Sequence, residues 1–380
     1  MKVFAQPIAK FISQCFQLKD FPLNVYMKFV LVATFQLLAL MAFPQSNLVM
    51  NWARSLNNTP IGGSVSIGSV AVGENGDFYV AGNFSLNVDV DPGLGVSNLT
   101  SNGSVDIFFA RYTAHGQLVY ARSIGGTGGD YVTAITVDNE DNVYITGYFS
   151  GNVDFDPGTG IVNLSSIGDN DIYLAKYNAS GNYIYAFNLG SGSDDRGLSV
   201  AVDASGAAYI TGYFRGVVDF NPNSGWNPLA SNDASADIFL AKYDASGNYV
   251  FAIGMGGTSF DAGTAVKLDG DGNVYMTGSF NQTVDFDYGV NEANLVSSGA
   301  SDIFIAKYDA AGNYIFAKNI GGPSNEAGNS LTLSASGEIF ITGYYTETAD
   351  FDPGPGSALL TSNGNWDIFV ARYDASGGFI

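Results

Sequence analysis

Two markers recur along this chain at one spacing, and that period constrains the fold more than any other feature. A glycine near the end of a strand-like run stands at Gly82, Gly147, Gly212, Gly278 and Gly343. An aspartate that opens the triplet DIF or DIY stands at Asp106, Asp171, Asp237, Asp302 and Asp367. Both series step by 65 or 66 residues. A unit that small buries little core alone, so tandem copies must stack on one another.

Each copy holds four apolar runs separated by Gly, Asn and Asp turns. In the fourth copy they are Thr264–Asp269, Asn273–Phe280, Asp302–Tyr308 and Asn313–Ile320. Their Val, Ile, Tyr and Phe content reads as strands. In DIFIAKY, Ile303, Phe304 and Ile305 are apolar on both faces, which suits a sheet packed between two neighbours. No segment beyond the first 45 residues has a helical apolar period. The pattern predicts an all-β chain: a β-propeller of five four-stranded blades of about 65 residues. The ends suggest how the ring shuts. Asn51–Leu56 (NWARSL) aligns with the fourth strand NYIFAKNI, and the fifth copy has only three strands of its own. The N-terminal strand is therefore expected to pair with Asp367–Tyr373 and close the ring, which removes open edges. A rival reading is that the chain stops a few residues into its own last strand.

The repeat resembles the bacterial β-propeller repeat family known as SBBP, found in secreted proteins. The residues that carry the resemblance are DGDGNVYMTGSF (269–280), TVDFD (283–287) and DIFIAKYDAAGNYIFAKNIGG (302–322). It extends over residues 48–380 and implies fold and secretion, not an activity.

The N-terminus agrees with export. Residues 29–43 (FVLVATFQLLALMAF) are uncharged and follow Met27-Lys28. Fifteen residues are short for a membrane span and fit a signal-peptide core. The expected division is residues 1–45 as extension and signal peptide, and 46–380 as the propeller. Met27 is an alternative start, and an uncleaved anchor an alternative fate. The expected location is secreted or cell-surface, with no membrane span after cleavage.

Composition removes much of the enzyme repertoire. The chain has one Cys (Cys15) and one His (His115), so Cys/His zinc sites, disulfide frameworks and Cys–His catalysis are absent. Its 15 Lys and Arg against 36 Asp and Glu give a net charge of −21, which disfavours nucleic acid. His115 replaces a turn residue of the other copies.

The chemistry left to consider is acidic. A motif after the second strand reads VDVDPG, VDFDPG, VDFNPN, VDFDYG and ADFDPG. It supplies Asp89, Asp91, Asp154, Asp156, Asp219, Asp285, Asp287, Asp350 and Asp352, with Asn221 in the third copy. Carboxylates two apart in extended chain point to one side and can hold Ca²⁺. The competing reading has them cap turns or pair with the recurring bases Arg111, Lys176, Lys242, Lys307 and Arg372. Gly125–Asp130 (GGTGGD) imitates a calcium-binding β-helix repeat, but its counterparts GSGSDD, GGTSFD and GGPSNE depart from it, so a turn between units is expected. Asp194, Asp195 and Arg196 form the one polar cluster that breaks its unit's pattern. Trp226, Tyr288 and Trp366 are loop aromatics that could stack on sugars. The expected function is a noncatalytic extracellular binding or structural module for a glycan or protein, without a cofactor unless Ca²⁺ binds. The alternative is a glycosidase, which needs two carboxylates in unlike environments; acids that recur at equivalent positions do not provide them.

Overall fold

The structure, a computed structural model, describes Ala53 and residues 55–58, 63–223 and 225–380. The apolar run at 29–43 and the boundary at residue 45 lie outside the described residues. What is described is all-β, apart from one 3-10 turn at Asn232–Ala234.

Units 1 to 4 each form a four-stranded antiparallel meander. The strands of unit 2 are Asp130–Val137, Val143–Phe149, Asp171–Tyr177 and Tyr183–Leu189; those of unit 4 are Ala262–Leu268, Val274–Asp285, Asn294–Tyr308 and Tyr314–Ile320. Unit 5 contributes three: Ala327–Leu333, Ile339–Tyr345 and Asp367–Tyr373. Units 1 to 4 thus have four strands each, and unit 5 has, among the described residues, the three of its own that its sequence predicts. Of the proposed closing segment, residues 51, 52 and 54 lie outside the described residues. Asp367–Tyr373 pairs along its length with Ile339–Tyr345; on its other side only a bridge from Tyr373 to Phe379 is described.

Stacking follows the apolar faces. The first strands of successive units lie against one another. The backbone joins units directly: Asp130 N–H donates to Val105 O at 2.8 Å, and Asp195, Asp261 and Glu326 repeat this bond. The third strand is the densest element. Ile107, Ile172, Ile238 and Ile303 are fully buried, as are Phe109, Leu174, Leu240 and Ile305. A threonine in the second strand ties the meander internally: Thr146, Thr211 and Thr277 hydroxyls donate to the Tyr173, Phe239 and Phe304 carbonyls at 2.6–2.7 Å.

The long loop after the second strand folds as a small hairpin, for example Asn152–Asp154 with Asn163–Ser165. It also pairs backwards, with Val153 opposite Gly126 and Asp154 opposite Gly125 at the end of the preceding unit's fourth strand. Unit 1 repeats this geometry with chain from before its first strand: Asn57 lies opposite Asp89 and Asn58 opposite Val88.

Candidate functional site

The acidic motif is built by alternation. Val153 and Phe155 point inward and are fully buried, as are Val218 and Phe220, and Val284 and Phe286. The backbone carbonyl of the inward residue between the two acidic positions accepts the hydroxyl of the third-strand tyrosine. Tyr112, Tyr177, Tyr243, Tyr308 and Tyr373 bond Val90, Phe155, Phe220, Phe286 and Phe351 at 2.8–3.0 Å. That anchor turns the acids outward. Asp154 Oδ1 accepts N–H from Asp156 at 3.0 Å and Val162 at 2.8 Å; Asp89, Asp219, Asp285 and Asp350 accept the same pair of bonds in their units. Asp91, Asp156, Asp287 and Asp352 each accept the N–H of the glycine two residues on, at 2.8–3.1 Å. All nine acids named in the sequence therefore cap turns. Among the described residues, no group of three or more His, Cys, Asp or Glu is placed to hold a metal ion.

The recurring bases do not pair with these acids. Arg111 bonds Asp77 and Asp141, while Lys176, Lys242 and Lys307 lie 3.7–4.0 Å from Asp138, Asp203 and Asp269, and Arg372 pairs with Glu338. The cations of Lys176, Lys242 and Lys307 sit 4.5–4.8 Å over the rings of Tyr144, Tyr209 and Tyr275. Three bases also reach into the next unit's turn: Arg111 donates to Ala179 O, Lys176 to Ala245 O and Lys242 to Ala310 O, at 3.0–3.1 Å.

A second acidic series emerges that the sequence displayed only as a marker. Asp106, Asp171, Asp237 and Asp302 open their strands fully or almost fully buried, and Asp130, Asp195, Asp261 and Glu326 are fully buried beside them. The second set closes the turn between units: Gly126, Ser191, Gly257 and Gly322 donate N–H to these carboxylates at 2.6–2.8 Å. GGTGGD is thus an inter-unit turn. Its first glycine is required, because a Cβ on Gly125 would lie 2.1 Å from the Asp106 carboxyl carbon. Burial pushes Asp261 and Glu326 up to about 7, and Asp130, Asp195 and Asp237 up to about 6, against the opposing pull of backbone N–H donors. An acid recurring at the head of an apolar strand was the available signal for this row.

The nonrecurring cluster assembles around Asp194. Its Oδ1 accepts Arg196 Nε at 2.9 Å and Asn170 Nδ2 at 2.6 Å, and its Oδ2 accepts the Tyr213 hydroxyl at 2.7 Å. Burial pushes Asp194 up, but these donors outweigh it and hold its carboxyl below the usual range. The Arg196 guanidinium lies 4.3 Å over the Tyr148 ring, which stacks on Tyr131 at 4.9 Å. Asp195 takes no part in this group and belongs to the buried row. His115 is exposed in the turn Thr113–Gly116. Trp226 and Tyr288 are exposed on separate hairpins, and Trp366 packs on Tyr344 at 4.3 Å.

Comparison with known proteins agrees on the repeat. Residues 119–153 match the SBBP beta-propeller repeat. The repeat is of that type. The chain is 24% identical over 328 residues to an uncharacterized WD repeat-containing protein of Acanthamoeba polyphaga mimivirus, covering 71% of this chain and 23% of that protein. It is 26% identical over 174 residues to the regulatory protein FlaEY of Caulobacter vibrioides, covering 46% of this chain and 17% of that protein. The chain thus spans about a fifth of the length of these curated relatives. Among solved structures it is similar to a Bacteroides caccae protein of unknown function, with a TM-score of 0.40 and 10% identity over 83% of this chain and 80% of that one. It is also similar to the rhamnogalacturonan lyase YesW, with a TM-score of 0.32 and 12% identity over 87% of this chain and 60% of that one. Likeness at these scores transfers neither a site nor an activity.

Proposed function

We propose that this chain is a noncatalytic binding module, exported and displayed outside the cell, whose five repeats close into a ring. The carrying observation is the division of labour among its acids. Those that recur cap turns or close the junctions between units, and the nonrecurring Asp194 is held ionised by three donors. Acids that recur in like environments from unit to unit do not supply the two unlike carboxylates of a glycoside hydrolase. What remains is a rigid scaffold presenting similar loops several times over, suited to repeated weak contacts with an extracellular glycan or protein. The 29–43 apolar run supports export.

Two observations support closure. Asn57 and Asn58 occupy, against unit 1, the register that Gly125 and Gly126 of unit 1 occupy against unit 2. The outermost faces are also apolar. Ile368 and Val370 of unit 5 are 85% and 78% exposed where their counterparts in units 1 to 4 are fully buried, and Ile67 and Val70 of unit 1 are 55% and 60% exposed where Val132 and Ile135 are almost fully buried. Joining these faces and laying Asn51–Leu56 along Asp367–Tyr373 would bury both and complete the fifth sheet.

The full chain applied to a glycan array and to a panel of chromogenic glycosides tests the functional reading. Retention of a glycan or protein ligand without turnover is the expected result. Turnover lost on substitution of a single carboxylate would replace it with a glycosidase.

A further inference from the structure

The five units are an internal alignment of one scaffold. Positions that stay constant hold the fold; positions that vary at one structural location are free to serve something else. At the start of the first strand the equivalent residues are Ser66, Tyr131, Arg196, Ala262 and Ala327, and just after the second strand they are Ser85, Ser150, Arg215, Asn281 and Thr346. Both locations lie at the hairpin-bearing end of the sheets. Only unit 3 places an arginine at each, and only unit 3 has Asn221 in place of the second motif acid. In a chain of net charge −21, unit 3 therefore places two positive charges at an end of the sheet where the other units place none at these positions.

The patch is built, not incidental. Asp194 fixes Arg196 through Nε alone, and Asn170 and the Tyr213 hydroxyl fix Asp194 in turn. The Nη edge of the guanidinium is left out of that bond, and 34% of the side chain is exposed. Tyr131 and Tyr148 stack on one side of it. The almost fully buried Tyr213 ring lies 5.9 Å from the guanidinium and meets the half-exposed ring of Phe260 at 5.2 Å, edge to face. Arg215 is near enough for its charge to act on the Tyr213 hydroxyl. The order along the ledge is aromatic, guanidinium, aromatic, across the junction of units 2 and 3 and onto the linker to unit 4.

We propose that this ledge binds a polyuronate, a glycan whose sugars each carry a carboxylate. A guanidinium fork matches a carboxylate with two parallel bonds, which an ammonium cannot do. Flat aromatic faces take the apolar face of a pyranose ring. A chain of hexuronates offers both, an anion and a C–H face at every step. The inference rests on the noncatalytic binding reading and names the ligand class of that module.

The test uses the full chain, calorimetric titration with hexagalacturonate, and its fully methyl-esterified form as the neutral control. Arg196→Ala and Tyr131→Ser are the variants, and other units already carry Ala and Ser at this position, so the scaffold tolerates both. Binding to the acid form is expected, with at least about tenfold loss on esterification and on Arg196→Ala, and a smaller loss for Arg196→Lys, which keeps the charge but not the fork. Equal binding of acid and ester, or an Arg196→Ala affinity equal to the parent's, overturns the proposal. Retention of neutral glycans or a protein by both parent and Arg196→Ala would also overturn it while leaving the binding module intact. Turnover of the hexamer would overturn the module reading itself.

Discussion

A single carboxylate does different work in this chain according to how many N–H groups reach it. Asp154 accepts two on one oxygen and Asp156 accepts one. Asp154→Ala should therefore cost about 1–2 kcal/mol and Asp156→Ala about half that, read from chemical denaturation. With Oδ1 of each acid engaged in capping, millimolar Ca²⁺ should leave the denaturation midpoint unchanged; a clear rise would favour the metal reading of these loops. The buried row behaves oppositely to the caps. Asp261 and Glu326 ionise near 7 in the folded chain and near 4 when unfolded, so they hold protons in the fold that they lose on unfolding at neutral pH. Their contribution is fully present below about pH 4 and is lost as pH rises through 6 to 7. The melting temperature should accordingly be higher at pH 5 than at pH 8, and Asp261→Asn should flatten that slope. A slope indifferent to the substitution would leave net charge as its only cause.

At the scale of the strand, much was legible from spacing alone. Asp302–Tyr308 is the second half of a strand that begins eight residues earlier, at Asn294, and Asn313–Ile320 is off by one residue. The first strand begins at Ala262 rather than Thr264, because the chain runs extended straight from the buried Asp261. The hairpin within each long loop was not legible: its strands in units 1, 2, 3 and 5 are three residues long, and their inward residues sit within what reads as an acidic motif. The partners of the bases were hidden for a similar reason, since Arg111 and Asp77 lie 34 residues apart. The closing strand makes a sharp prediction. Ala110 faces Ala121, Ala175 faces Ala186, Ala241 faces Ala252 and Ala306 faces Ala317, so Ala371 should face Ala53. A chain with Ala53→Cys, Ala371→Cys and Cys15→Ser should form an intramolecular disulfide under mild oxidation. A bond between two molecules would mean head-to-tail association, and no bond would rule out this register.

For the whole molecule, the question is whether its outermost faces are surfaces or seams. Ile303→Ala removes a fully buried side chain and should cost about 2–5 kcal/mol. Ile368 is its counterpart in unit 5. If the ring closes, Ile368→Ala should cost a comparable amount; a cost below about 0.5 kcal/mol would mean that the face is solvated. The candidate ledge was only partly legible for a related reason. Asp194 and Arg196 stood out against their unit, but Tyr131, Tyr148 and Phe260 come from other repeats and converge only by stacking. That stacking also imposes a timetable on synthesis. Arg111, Lys176 and Lys242 find their backbone acceptors 68 or 69 residues downstream. At roughly 5–20 residues per second, a ribosome supplies each acceptor some 3–14 seconds after the cation that awaits it. Units 1 to 3 thus emerge unfinished and are each completed by the next, so their maturation advances along the chain. Arg372 stands at the end of that queue with 48% of its side chain exposed, against 8–16% for Arg111, Lys176, Lys242 and Lys307. On the proposed ring its acceptor is the turn Thr113–Gly116, made long before, so the last repeat is the one that need not wait.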